Sequence, residues 1–145
     1  MRKAHATVYG RIGRWYRDAE NNAVALPWLS KARDLVPDTQ FLLEDVLGCL
    51  NVLDRPQKGL DLIGKAPATL RQAVPIRSWE AWFLSETQQP EEAMAVYAEL
   101  FRQAHRNPDD LLTYTALMEK ADRLKEAIAL CDQYCTVKDN VDVRI

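Results

Sequence analysis

The sequence predicts an all-α solenoid, a single domain over residues 1–145 in which about eight helices pack as antiparallel pairs. Three observations lead there. Apolar columns recur every 34 residues with no insertion: small residues at Ala25, Gly59, Ala93 and Ala127, then Leu26, Leu60, Met94 and Ile128, then Leu29, Ile63, Tyr97 and Cys131. Upstream, Tyr16, Leu50, Leu84 and Met118 form a fourth column. Within the units, apolar residues also fall at i, i+3, i+4 and i+7, the spacing of one helix face. Finally, polar turn residues separate the paired helices, as in Glu20-Asn21-Asn22, Asp54-Arg55-Pro56 and Asp122-Arg123.

Taken in order, the first helix is predicted from about Ala4 to Asp18, with Tyr9, Ile12, Gly13 and Tyr16 on one face. Gly13 costs about 1 kcal/mol against Ala inside a helix; close approach of the partner helix, with Ala25 as the matching small residue, offsets that. The second helix runs from about Ala23 to Val36, with Pro27 inside its first turn or so. In the second unit Leu43, Val46, Leu47 and Leu50 face inward. A short helix then carries Gly59, Leu60, Ile63 and Ala66 until Pro67, followed by an irregular stretch or single turn through Ala68 to Val74.

The third unit begins near Pro75, and here the register puts Arg77 and Glu80 where earlier units hold core residues. Ile76, Trp79, Trp82 and Phe83 are strongly apolar instead. Either this helix is rotated by about one residue, or its aromatic face points away from its partner helix. The following helix opens at Pro90-Glu91-Glu92 and is predicted to run long, to about Arg106. Asn107-Pro108-Asp109 caps the fourth unit, where Leu111, Tyr114, Thr115 and Met118 pack inward, followed by Ala127, Ile128, Cys131 and Tyr134. Val137 to Ile145 shows no helical period and reads as an edge strand or a loose end.

The first unit, with Tyr9, Ile12-Gly13, Tyr16, Ala25, Leu29, Ala32 and Pro37 in order, resembles the tetratricopeptide repeat (TPR). The likeness covers about residues 6–141 and divides them into units 6–39, 40–73, 74–107 and 108–141. It implies a right-handed superhelix in which the first helix of each pair lines a concave groove that holds a partner segment. On that analogy the groove shows Phe41, Glu44, Asp45, Gly48, Asn51, Trp79, Trp82, Ser85 and Glu86, with Arg11, Arg14 and Arg17 toward the N-terminal end. Some TPR proteins clamp a terminal carboxylate with a Lys/Asn/Arg set. The matching positions here carry Gly10, Arg14, Gly48, Pro75 and Trp79, so that mode is disfavoured.

Composition bounds the function. Apolar residues at 48% and charged ones at 28% exclude wholesale disorder. A net charge of −2 lacks the basic footprint of a nucleic-acid reader, so no nucleic-acid partner is expected. No apolar run of leader length follows Met1-Arg2-Lys3-Ala4-His5, and no window suits a membrane span. With three cysteines and no leader, a reducing cytoplasm is expected. Cys131 and Cys135 share a helix face but have no histidine nearby; they read as small buried apolar residues, with no metal and no cofactor. Phosphate loops, H-E-x-x-H and G-x-S-x-G are absent, and Asp109-Asp110 and Glu91-Glu92 suit helix starts, so no enzyme is expected.

The leading expectation is a scaffold that binds a peptide or helical segment of another protein in its groove. A small dedicated chaperone and a self-assembling module, dimeric through the last helix, are the alternatives. Ile128, Cys131, Tyr134 or Cys135 would then be covered by a second copy, a folded-back tail or further chain. Trp79 and Trp82, three apart, share a face; they are either core, with Arg77 and Glu80 turned to solvent, or groove anchors for an apolar side chain of the partner. Because the small column marks the closest approach of paired helices, Ala25→Leu and Ala93→Leu are each expected to cost about 1–3 kcal/mol by overpacking. Denaturant midpoints equal to that of the parent chain would refute the register.

Overall fold

A computed structural model describes the backbone of residues 1–142 and the side chains of residues 1–134. Nine helices occur among the described residues: α1 (Arg2–Asp18), α2 (Asn22–Leu35), α3 (Gln40–Val52), α4 (Pro56–Lys65), α5 (Ala68–Arg71), α6 (Val74–Glu86), α7 (Pro90–Arg102), α8 (Pro108–Lys120) and α9 (Leu124–Asp142). They make an all-α solenoid of four hairpins, α1/α2, α3/α4, α6/α7 and α8/α9, with the single turn α5 as the extra piece.

Each hairpin turns in the same way. Glu20, Asp54, Gln88 and Asp122, spaced by the repeat, are all left-handed, with φ of 60°, 54°, 63° and 58°. The next residue's N–H then bonds back to the carbonyl of Tyr16, Leu50, Leu84 or Met118 at 2.8–3.0 Å. This six-to-one closure satisfies an orphan carbonyl at the helix end. The fourth apolar column of the sequence is thus also the column of turn-closing carbonyls.

The small column lies at the helix contacts: Ala25, Gly59, Ala93 and Ala127 are all buried. Gly13 does allow close approach, and the atoms nearest it are those of Leu29. A Cβ on Gly13 would stand 2.6 Å from the Leu29 Cγ. Pro27 falls in the second turn of α2 rather than the first. Both Ala23 and Pro27 are exposed, so the Ala23 carbonyl that loses its helical donor meets water.

Two apolar clusters meet at α6. The first joins Ala25, Leu29, Leu43, Leu47 and Ile63 to Ile76 and Phe83; the second joins Ala81 to Tyr97, Leu100, Tyr114 and Met118. The helix phase left open by the sequence is therefore resolved without rotation. Ile76, Ala81 and Phe83 are buried at the positions of Leu42, Leu47 and Cys49 one unit earlier, while Arg77 and Glu80 are half-buried and ion-paired at 3.3 Å. They tolerate the core register because α4 ends before Pro67. The space where a longer helix would lie is a shallow hollow of about 360 Å³, lined in part by Gly64, Ala68, Arg77 and Glu80.

Three expectations fail. α7 stops at Arg102, not Arg106: Ala104 takes φ 63° and the His105 N–H closes on the Leu100 carbonyl at 3.2 Å. The extended Asn107 demanded by Pro108 reinforces that stop. The tail is neither strand nor loose end through 142, since α9 continues to Asp142; residues 143–145 lie outside the described residues. Thr115 and Cys131 are half-buried rather than inward, bordering a hollow beside the exposed Ile128. Of Cys135, only the helical backbone is described.

Gly59 is the tightest point. A Cβ there would lie 2.5 Å from Cε2 of Phe83, whose ring is fully buried. Gly59→Ala is expected to destabilise the fold by about 1–3 kcal/mol although alanine favours the helix by about 1 kcal/mol. Pairing it with Phe83→Leu should recover part of that loss. Chemical denaturation of the single and double variants measures both effects, and a stabilised single variant would contradict the contact.

Candidate functional site

The first helices of the four hairpins, α1, α3, α6 and α8, share one face by repeat register. Along it, Arg11, Asp45, Trp79 and Thr113 are equivalent, as are Arg14, Gly48 and Trp82. Two hollows open between these helices.

The first lies between α1 and α3, about 320 Å³, bordered by Lys3, Gly10, Arg11, Arg14, Phe41 and Leu42 among others. Its far side is a closed charge cluster. Arg14 Nε donates to Asp45 Oδ2 at 2.9 Å and Arg17 Nη1 to Asp45 Oδ1 at 2.6 Å. Arg14 also places its guanidinium 4.6 Å from the centre of the half-exposed Phe41 ring. Gly48 leaves the space that Arg17 needs, since a Cβ there would come within 2.7 Å of Arg17 Nη2. Beneath it burial pushes the Cys49 thiol up, with Arg17 pulling the other way. Four expected groove residues, Arg14, Arg17, Phe41 and Asp45, are thus brought together and spend part of their chemistry on each other.

The second hollow is a cleft of about 490 Å³ between α6 and α8, reaching α3 at Asn51. Trp79 and Trp82 form one wall with Val74 and Pro75; both tryptophans are half-buried and also touch the first apolar cluster. Trp79 stacks on Phe83 at 5.4 Å between ring centres. Trp82 is steered by its indole N–H, which donates to Asn51 Oδ1 at 2.7 Å. The two expected alternatives, core and groove, therefore merge: each ring packs inward along part of its surface and lines the cleft with the rest.

Opposite stand His105, Asn107, Asp109, Asp110 and Thr113. Asp110 is buried, and its Oδ2 accepts from the Ser78 hydroxyl at 2.6 Å and lies 2.6 Å from His105 Nε2. Asn107 caps α8, accepting from the amides of Asp109 and Asp110. Burial first, then the Asp110 charge, push the nearby Tyr97 phenol up. No cluster of metal-ligand type exists among the described residues.

No family model and no curated protein matches this sequence. Solved structures do match. The first TPR of Spaghetti (RPAP3), solved bound to the HSP90 peptide SRMEEVD, superposes with a TM-score of 0.74 at 17% identity, covering 83% of this chain and 95% of that one. MamA gives 0.82 at 13% identity over 97% and 81% of the two chains. YrrB, a TPR protein with an unusual peptide-binding site, gives 0.75 at 18% identity over 92% and 69%. The chain has the tetratricopeptide-repeat fold. At these identities the likeness is one of backbone, and no side-chain role transfers with it.

Within this TPR fold the remaining expected residues are scattered. Glu44 is half-buried and accepts from Gln40 at 3.3 Å, Ser85 donates to the Trp82 carbonyl, and Glu86 stands exposed at the end of α6 without lining either hollow. Sequence reasoning missed Ser78, His105 and Asp110. Ser78 was within reach, being the register equivalent of Glu44; the loop residue His105 has no repeat signal at all. Among the described residues no helix is long and apolar enough to cross a membrane.

Proposed function

We propose that the chain is a protein-interaction scaffold that seats an extended or helical segment of a partner along the face of α1, α3, α6 and α8. The observation that carries this reading is the α6–α8 cleft, where two half-buried tryptophans line an open hollow of about 490 Å³. Tryptophan concentrates binding energy at interfaces because a large rigid ring is desolvated at little entropy cost. The fold is shared with the first TPR of Spaghetti (RPAP3), bound to an HSP90 peptide, and with YrrB, which has an unusual peptide-binding site, and this supports the same use of the array. The mode differs from carboxylate clamping, because Pro75 and Trp79 occupy clamp positions and the wall opposite is acidic.

Peptides selected from a random display library test this. Trp82→Ala is expected to weaken a selected peptide by about 30-fold, some 2 kcal/mol, with helicity retained. Trp15, two-thirds exposed and lining neither hollow, is the control. Calorimetry showing that Trp15→Ala abolishes binding while Trp82→Ala leaves it intact would place the site elsewhere.

A second reading, self-association through the last hairpin, is favoured by exposed Leu112, Leu124 and Ile128, which border one shallow hollow of about 420 Å³ on α8 and α9. Burying that apolar border against a second copy would stabilise a dimer. Light scattering from micromolar to millimolar chain is expected to show a rising mass that Ile128→Glu suppresses; a constant monomer mass would rule this out.

A further inference from the structure

The α6–α8 cleft has walls of opposite character: Trp79, Trp82, Val74 and Pro75 on one side, Asp109 and Asp110 on the other. The two carboxylates are not equivalent. Asp110 is buried and already bonded to Ser78 and His105. Asp109 is exposed, and its carboxylate has no hydrogen bond or ion pair among the described residues; only its backbone amide and carbonyl are engaged. No lysine or arginine lines the cleft. The α8 N-terminus offsets part of the Asp109 charge, but a helix end supplies only about half an elementary charge. The Asp109 carboxylate therefore stands, without an ion pair among the described residues, at a tryptophan-walled hollow that no lysine or arginine lines.

We propose, resting on the reading of this face as a segment-binding surface, that the cleft receives an arginine or lysine side chain of the bound segment. The aliphatic stem packs on Trp79 and Trp82, and the cationic head reaches Asp109 and the aromatic faces. A purely apolar side chain fills the same wall but desolvates Asp109 without pairing it, which is costly. An acidic side chain is repelled. The α1–α3 hollow carries the reverse charge through Lys3, Arg11 and Arg14, with Asp45 already claimed by Arg14 and Arg17. The basic residue of a segment is thereby directed to the α6–α8 end and not to the other.

The test is an NMR titration of the ¹⁵N-labelled full chain, reading the indole N–H signals of Trp15, Trp28, Trp79 and Trp82. The probes are acetyl-arginine methylamide, its neutral citrulline isostere and acetyl-leucine methylamide. The arginine probe is expected to move the Trp79 and Trp82 signals, and to bind at least fivefold more tightly than citrulline. Asp109→Asn should reduce that advantage below twofold; asparagine also suits a helix start, and a melting curve verifies the fold. Equal binding of arginine and citrulline, or an advantage that survives Asp109→Asn, overturns the cationic assignment while the groove reading stands, since the two indoles still respond. Unmoved Trp79 and Trp82 signals with all three probes overturn both.

Discussion

The contact of Phe83 with Gly59 fixes this molecule. The buried ring occupies the space that any side chain at residue 59 would fill, so α6 settles against α4 at a distance set by glycine. From there α6 belongs to both apolar clusters, giving Ile76 and Phe83 to one and Ala81 to the other. The Trp79 ring is stacked on Phe83, and Trp82 is tied to Asn51 of α3. The wall of the cleft is thus an extension of the core, preorganised rather than draped over it.

The interruption at Pro67 works on the opposite side of the same helix. With α4 cut short and replaced by the single turn α5, Arg77 and Glu80 occupy register positions that Leu43 and Val46 fill one unit earlier. Their half-buried ion pair contributes little, about 0–1 kcal/mol. It is permitted because the end of α4 before Pro67 leaves the pair beside an open hollow. The apolar load of the unit moves instead to Ile76, Phe83 and the two tryptophans, which is why the inner face of the third unit is aromatic.

Charge is handled differently at the two hollows. Asp45 is answered by two arginines, and Gly48 makes room for one of them, so the surplus charge at that end, with Lys3 and Arg11, is positive. At the other end Asp110 is buried and bonded while Asp109 faces water unanswered. The face thus carries surplus positive charge at one end and an exposed carboxylate at the other, and for the segment proposed above like-charge juxtaposition would oppose the reversed orientation.

While leaving open whether Trp79 and Trp82 face the core or the groove, the sequence by itself determined the repeat, the helix pairs, the buried small column and the brevity of α4. These follow from backbone periodicity, which a 34-residue recurrence reports directly because each unit repeats the same hairpin geometry. Only the tertiary structure decided the rest. Leu29 is the side chain that comes nearest Gly13, since side chains lean along the helix axis. α7 ends at Arg102 because a left-handed Ala104 and a backbone closure outweigh an apolar pattern. Ser78, His105 and Asp110 meet although they come from a helix, a loop and another helix. Such a meeting depends on how the α8/α9 hairpin is rotated onto the α6/α7 hairpin, which no single column encodes.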